Sequence, residues 1–461
     1  MLKQHEHPQM TKRIKDTYFL VSLGCAKNLV DSQSMAQLLN REGFLLVDQP
    51  KNAEYLIVNT CGFLRSAREE AITVLTDLAG EKMPWQKLIA AGCMPETHRN
   101  ELIQSIPGLD GLIGTRRWMD IMTVIEETRD SRPPIPYTHF PQATTVGKDE
   151  KGTNRTAIQG GSAYVKIADG CRRSCAFCLI PKIKGTLVSR PMEKIIGDAK
   201  ALRDAGVKEI ILIAQDITDY GHDLGMKEGL TQLLEAVLQA VPDLPWLRLM
   251  YTYPGFVSHE LIQIMASESQ ILPYLDMPLQ HADPRVLRAM GRPQNIQAVR
   301  QNLQEVRSAM KDVALRSTFI VGFPGEDDKA FHNLVNFIQE VRFDHLGVFA
   351  YSFEPGTPAE PFGDPIPEHI KIERIETLMK IQAGISLERN QNLIGKTLFG
   401  LIEGVDQANQ ISIGRSYRDA PEVDGLMVIE GLAEIGELVP VKIHSAITHD
   451  LIGSMVDQGE D

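Results

Sequence analysis

Apolar and polar positions follow three different rhythms along this chain. Over residues 17–127, short apolar runs alternate with stretches of helical periodicity. TYFLVSLG reads as a strand and DSQSMAQLLNREG as a helix opened by an Asp or Ser cap. AEYLIVNT and the helical SAREEAITVLTDLAG follow, then the strand KLIAAG and the helix RRWMDIMTVIEETR. Such alternation predicts a doubly wound parallel sheet. Residues 128–162 lose all periodicity. They carry Pro133, Pro134, Pro136 and Pro141 and the polar run GKDEKGTNRTAIQGG, and they read as a linker.

From 163 to about 355 the alternation resumes in longer units. The strand candidates are AYVKIA, EIILIA, WLRLMY, YLDMPL, LRSTFIVG and HLGVFAY, separated by helices such as MEKIIGDAKALRDAG. Six βα units predict a partial (β/α)6 barrel, short of the eight that close a full one. A long helix over about 367–390 leads out. The runs TLFGLIEG, ISIGRS, LMVIEG and LVPVKIHSAI, broken by Gly, Asp and Pro, then predict a small all-β barrel. The fold class is α/β, with an N-terminal doubly wound domain at 15–128, a linker at 129–160, a barrel core at 161–389 and a β-barrel at 390–461.

The 461 residues exceed what one compact core holds, and 43% apolar with 23% charged residues fits a globular protein. No run approaches the ~20 apolar residues that span a bilayer. The stretch MLKQHEHPQMTKRIKD lacks a signal peptide's apolar core, so a cytoplasmic location, without membrane attachment, is expected. In that reducing setting six cysteines point to metal binding, catalysis or plain burial rather than disulfides. A net charge of -12 argues against binding dominated by phosphate contacts, and no direct DNA binding is expected.

The cysteines fall into two sets of three. Cys171, Cys175 and Cys178 form a C-x3-C-x2-C run in DGCRRSCAFCLIP, just after the first barrel strand. Active sites of such barrels lie in the loops at the strands' C-terminal ends. Three thiolates can hold three corners of an iron–sulfur cube and leave one iron open. Zinc is the competing reading, but a structural zinc site needs a fourth ligand, and no His or Cys is near in sequence. Cys25, Cys61 and Cys93 each follow a predicted strand and each adjoin a glycine, Gly24, Gly62 and Gly92. The C-terminal strand ends of a parallel sheet share one edge, so these three converge into a second three-thiolate site.

The C-x3-C-x2-C run after the first strand of a partial barrel resembles the radical S-adenosylmethionine (SAM) enzymes. With SLGCAKNLVDS, VNTCGF and AAGC, the chain is similar to the methylthiotransferases of that superfamily over about 17–456. The resemblance implies two 4Fe-4S clusters and SAM as cofactors. Cys171, Cys175 and Cys178 would hold the cluster that cleaves SAM, and Cys25, Cys61 and Cys93 an auxiliary cluster whose open iron carries the transferred sulfur. The terminal barrel would be a TRAM domain. IAQDITDYG places Gln215 and Asp216 after the second barrel strand, YLDMPLQHAD places Gln280 and His281 after the fourth, and STFIVGFPGE places Gly322 and Gly325 after the fifth. The resemblance implies these six as candidates to bind SAM. An electron donor of flavodoxin or ferredoxin type is implied, and nothing demands more than a monomer.

Charge separates the family's branches. Residues 390–461 hold four Lys and Arg against twelve Asp and Glu, so this module carries -8 of the chain's -12. An acidic barrel repels RNA and attracts a basic protein. GRSYRDAPEVDG, SLGCAKNLVDS and IAQDITDYG also resemble the RimO-type branch, which modifies the β-carbon of an aspartate in the twelfth small-subunit ribosomal protein. The expected partner is that basic protein, free or in the assembling subunit, with Asp419, Glu422 and Asp424 as docking residues. The alternative within the family is methylthiolation of a modified adenosine beside the tRNA anticodon. A non-enzymatic iron–sulfur carrier is the alternative from another class.

Overall fold

The computed structural model describes residues 15–130, 135–143, 145–146 and 150–456. They divide into two compact units. One runs up to Arg155 and includes Lys182–Gly185, and the other comprises Thr156–Pro181 and the chain from Thr186 onward.

In the first unit, β1 (Thr17–Ser22), α1 (Ala26–Arg41), β2 (Leu45–Leu46), β3 (Tyr55–Thr60), α2 (Arg65–Glu81), β4 (Lys87–Gly92), α3 (Cys93–Ser105), β5 (Gly111–Gly114), α4 (Ile121–Arg129) and β6 (Tyr137–His139) alternate. The six strands form one parallel sheet in the order β2-β1-β3-β4-β5-β6. Side chains alternate between the faces of a strand. Tyr55 and Ile57 of β3 therefore join Met35, Leu39 and Val124 of α1 and α4, while Leu56 and Val58 join Ala71, Leu75 and Leu102 of α2 and α3. Burial on both faces explains the continuous apolar runs of β3 and β4. β6 lies inside the stretch read as a linker, where only three residues pair, too few to show a period.

The second unit opens with a hairpin of β7 (Thr156–Gln159) and β8 (Ser162–Lys166), followed by the short β9 (Ala168–Asp169). α5 (Ile180–Lys184) begins in this unit and ends in the first. Next come β10 (Val188–Ser189), α6 (Met192–Asp204), β11 (Glu209–Ile213), α7 (Gly229–Ala240), β12 (Trp246–Leu249), α8 (His259–Ser267) and β13 (Tyr274–Asp276). α9 (Pro284–Ala289), α10 (Ile296–Ala309), β14 (Ala314–Val321), α11 (Asp328–Val341), β15 (His345–Ala350) and α12 (Glu368–Gln391) complete the barrel layer. β8, β11 and β12 pair in parallel, as do β13, β14 and β15, and the Leu247–Ile271 bridge links the two sets. β15 pairs with β14 alone and β7 covers the far edge, so six parallel strands make an open barrel.

The terminal module is a closed five-stranded barrel of β16 (Thr397–Asp406), β17 (Ile411–Arg415), β18 (Met427–Glu430), β19 (Leu438–Ala446) and β20 (Leu451–Met455). Ile402, Met427, Ile429, Val441, Ile443 and Leu451 fill it. β20, with the sequence LIGSM, escapes a reading by pattern because a glycine interrupts a short run. Among the described residues no helix is long and apolar enough to cross a membrane.

Candidate metal centres

The first triad stands on the C-terminal edge of the parallel sheet. Cys25 occupies the N-cap of α1, Cys61 follows β3 directly, and Cys93 is the first residue of α3, straight after β4. Three crossovers that all leave the same edge bring together residues more than thirty positions apart. The packing leaves no room for side chains beside them. A Cβ on Gly24, whose φ is +88°, would come 2.7 Å from the Cβ of Cys61. One on Gly92, with φ +101°, would come 2.6 Å from the Thr60 carbonyl.

A polar scaffold holds these loops in register. Asn28 Nδ2 donates to the carbonyls of Leu23 and Thr60, both at 3.0 Å, and Asn59 Nδ2 donates to the Asn28 carbonyl and to Ser32 Oγ, both at 2.9 Å. Cys93 Sγ lies 3.5 Å from Asn28 Oδ1. Nearby, Asp31 accepts from Arg155 at 2.6 Å and from Lys184 at 3.1 Å.

The three thiols differ electrostatically. Crowding of its sulfur opposes ionisation of Cys25, but Lys27, Lys184 and the N–H groups at the start of α1 outweigh it and hold this thiol below its ordinary pKa. Burial pushes Cys61 up, with further repulsion from Cys25. Burial pushes Cys93 up to about 12, and Cys61 and Cys25 add to it although Lys184 opposes. Their mutual repulsion as thiolates is the electrostatic mark of convergence. Ligation of these thiolates to a metal would remove that repulsion and would be coupled to proton release.

The second triad lies in the loop between β9 and α5. Cys171 Sγ accepts from the Arg173 N–H and Cys178 Sγ from the Ile180 N–H, each at 3.4 Å. Cys175 Sγ lies 3.7 Å from Tyr253 Oη and 3.7 Å from Arg292 Nη1. Burial raises Cys171 to about 11 and Cys178 to about 12, and the neighbouring thiolates reinforce both shifts. Backbone bonds from Ala176 N to the Met290 carbonyl and from Ala359 N to the Ala176 carbonyl, both 2.8 Å, pin the loop. Among the described residues, no three His, Cys, Asp or Glu side chains gather as tightly as a single metal ion requires.

The other expected positions all lie at the C-terminal ends of barrel strands. Gln215 is half-buried after β11. Asp216 caps the turn that follows, accepting from Thr218 N at 3.0 Å and from Arg173 Nε at 2.8 Å, and burial lifts its pKa despite both. It thus anchors the cysteine loop. His281 is fully buried. Asp283 N donates to its Nδ1 at 2.9 Å, which leaves the proton of the neutral ring on Nε2. Among the described residues neither His281 Nε2 nor Gln280 Oε1 has a hydrogen-bond partner, and His281 Nε2 lies 4.0 Å from the buried Glu326 Oε1. Gly322 lies against the alkyl stem of Lys371, whereas the space beside Gly325 is open.

Comparison with known proteins decides the family. The chain matches the uncharacterized protein family UPF0004 over residues 17–114, the radical SAM superfamily over 165–338 and the TRAM domain over 394–456. The ribosomal protein uS12 methylthiotransferase RimO of Roseiflexus sp. (strain RS-1) is 44% identical over 96% of this chain and 98% of its own. RimO of Geotalea uraniireducens (strain Rf4) is 39% identical over 97% of this chain and 100% of its own. The chain belongs to the RimO family. Among solved structures, the radical SAM methyltransferase TsrM from Kitasatospora setae shares the fold, with a TM-score of 0.54 at 13% identity over 75% of this chain and 74% of that one. Radical SAM chemistry in this family uses SAM and two 4Fe-4S clusters.

Two of the RimO-type docking residues need correction. Asp424 accepts from Tyr274 Oη at 2.6 Å and Arg316 Nε at 3.2 Å, and its side chain is 1% exposed. Asp419 is buried, 3.5 Å from His345 Nε2, with Ser416 Oγ donating to it at 2.7 Å. Both carboxylates fasten the TRAM module to the barrel rather than face a partner. Arg415 and Arg418 do the same from the basic side, pairing with Glu209 and Asp344 at 2.6 Å. Two acids and two bases are thus internal, which leaves the solvent-facing module as acidic as before. Glu422 is exposed and accepts from Gln159 at 3.0 Å. Sequence reading missed Asn28 and Asn59, each within three residues of a cysteine, and Tyr253 and Arg292, which have no cysteine near in sequence.

Proposed function

We propose that this enzyme adds a methylthio group to the β-carbon of an aspartate in ribosomal protein uS12. The observation that carries the reading is the pairing of two three-cysteine sites, one at the sheet edge of each unit, in a chain 44% identical to a RimO over nearly its whole length. Cys171, Cys175 and Cys178 would hold the SAM-cleaving cluster, and Cys25, Cys61 and Cys93 the auxiliary one. Bound there, the two groups supply one-electron cleavage of SAM and an iron on which sulfur can be carried.

The protein's own residues do the rest. Three thiols per site leave one iron of each cube free of protein ligands. Gly24 and Gly92 keep side chains out of the first site, and Asp216 and Arg173 fix the second loop against the barrel. Gln280 and His281 offer an acceptor and a donor to SAM's polar groups. On the TRAM module the exposed Glu422, Glu430, Glu434 and Glu437 present negative charge to a basic substrate protein. The protein acts as a monomer and takes its electrons from a flavodoxin- or ferredoxin-like donor.

The test is mass spectrometry of uS12 and of tRNA from cells lacking the gene. Loss of the methylthio group from uS12 alone is the expected result. Its loss from tRNA instead would overturn the substrate assignment.

A further inference from the structure

Arg292 is a buried cation without a carboxylate. Its residue is 7% exposed, and among the described residues it makes no ion pair. Its guanidinium instead donates to the Pro278 carbonyl, stacks 4.1 Å from the centre of the Tyr253 ring and places Nη1 3.7 Å from Cys175 Sγ. A buried charge without a partner of opposite sign costs several kcal/mol, so a site built this way is built to receive negative charge. The group within its reach that can carry negative charge is the Cys175 sulfur.

Tyr253 converges on the same atom. Its Oη is 3.7 Å from Cys175 Sγ, and its ring lies between two guanidinium groups, Arg292 at 4.1 Å and Arg173 at 4.4 Å. Arg173 is fixed in turn by Asp216 at 2.8 Å and lies 3.8 Å from the Phe256 ring centre. The chain Asp216–Arg173–Tyr253–Arg292 therefore aims two side-chain donors at one cysteine, while Cys171 and Cys178 each accept a single backbone N–H.

We infer that Tyr253 and Arg292 are positioning residues that set the reduction potential of the SAM-cleaving cluster through two hydrogen bonds to Cys175. The inference rests on the assignment of that cluster to Cys171, Cys175 and Cys178. Hydrogen bonds to a ligating sulfur withdraw electron density and favour the reduced, more negative cluster. Arg292 adds a positive charge in a site shielded from water, where its field is strong. The sulfur that receives both donors is thereby distinguished from its two neighbours.

The experiment uses full-length protein in which Cys25, Cys61 and Cys93 are replaced by Ala, so that one cluster remains. Iron content is counted, and the midpoint potential is read by electron paramagnetic resonance during titration with dithionite, without SAM. Tyr253→Phe keeps the ring and the stack and removes one donor. Arg292→Gln removes the charge, and Arg172→Gln removes a cation bound instead to Asp219. The expected result is a potential shifted to more negative values in Tyr253→Phe, further in Arg292→Gln and least in Arg172→Gln, at unchanged iron content. Four irons with the same potential in Tyr253→Phe and Arg292→Gln would overturn the inference alone. Absence of iron from the parent would overturn the cluster assignment on which it rests.

Discussion

Arg415 and Glu209, 206 residues apart in sequence, meet at 2.6 Å with neither side chain more than 1% exposed. Arg248, also fully buried, binds the other carboxylate oxygen at 2.6 Å, and Ser162 Oγ donates to Glu209 at 2.8 Å. The TRAM module is thus joined to the barrel through a carboxylate that two guanidinium groups share. Glu209→Gln leaves two buried cations under-compensated and should destabilise the chain by about 3–5 kcal/mol. Denaturant unfolding measures this, and a change below about 1 kcal/mol would contradict the arrangement.

The same carboxylate makes stability depend on acid. Burial opposes ionisation of Glu209, but Arg248 and Arg415 outweigh it and bring its pKa to about 2. A glutamate in the unfolded chain titrates near ~4.3. The folded value is the lower one, so the stabilisation is complete above that pH and is lost as pH falls through it toward about 2. Unfolding midpoints measured from pH 6 down to pH 3 should drop more steeply in the wild type than in Glu209→Gln.

Gly92→Ala tests the auxiliary site without touching a ligand. The backbone there has φ +101°, and an added Cβ would press on Asn59 and on the Thr60 carbonyl. Strain of about 1–3 kcal/mol falls on the turn that delivers Cys93. Iron content should fall while 5′-deoxyadenosine production from SAM persists. Full iron retention would contradict the close packing.

Asp424→Asn and Glu422→Gln remove the same charge from two environments. Asp424 stands against Arg316, His345 and Tyr274, and these outweigh its burial to hold its pKa low. Its replacement should lower the unfolding midpoint. Glu422→Gln should leave that midpoint within about 0.5 kcal/mol of wild type and weaken uS12 binding slightly, most clearly at low salt.

Much of this was legible in the chain itself. Strand, cysteine and glycine recur together at Cys25, Cys61 and Cys93, and a parallel sheet turns that grammar into a site. Tyr253 and Arg292 were not legible, because 78 and 117 residues separate them from Cys175 and only the folded barrel brings them to it. β6 carries too few residues to show a period, and a glycine interrupts β20. Asp419 and Asp424 misled because a charge count cannot see Arg316 or His345 across the module boundary.

The most direct test counts iron after anaerobic reconstitution in three proteins. The wild type should hold about eight irons, as two four-iron cubes require. Replacing Cys25, Cys61 and Cys93 with Ala should leave about four and spare SAM cleavage, whereas replacing Cys171, Cys175 and Cys178 should leave about four and abolish it. Iron at the wild-type level in either triple variant, or SAM cleavage that survives loss of the second triad, would contradict the two-centre assignment.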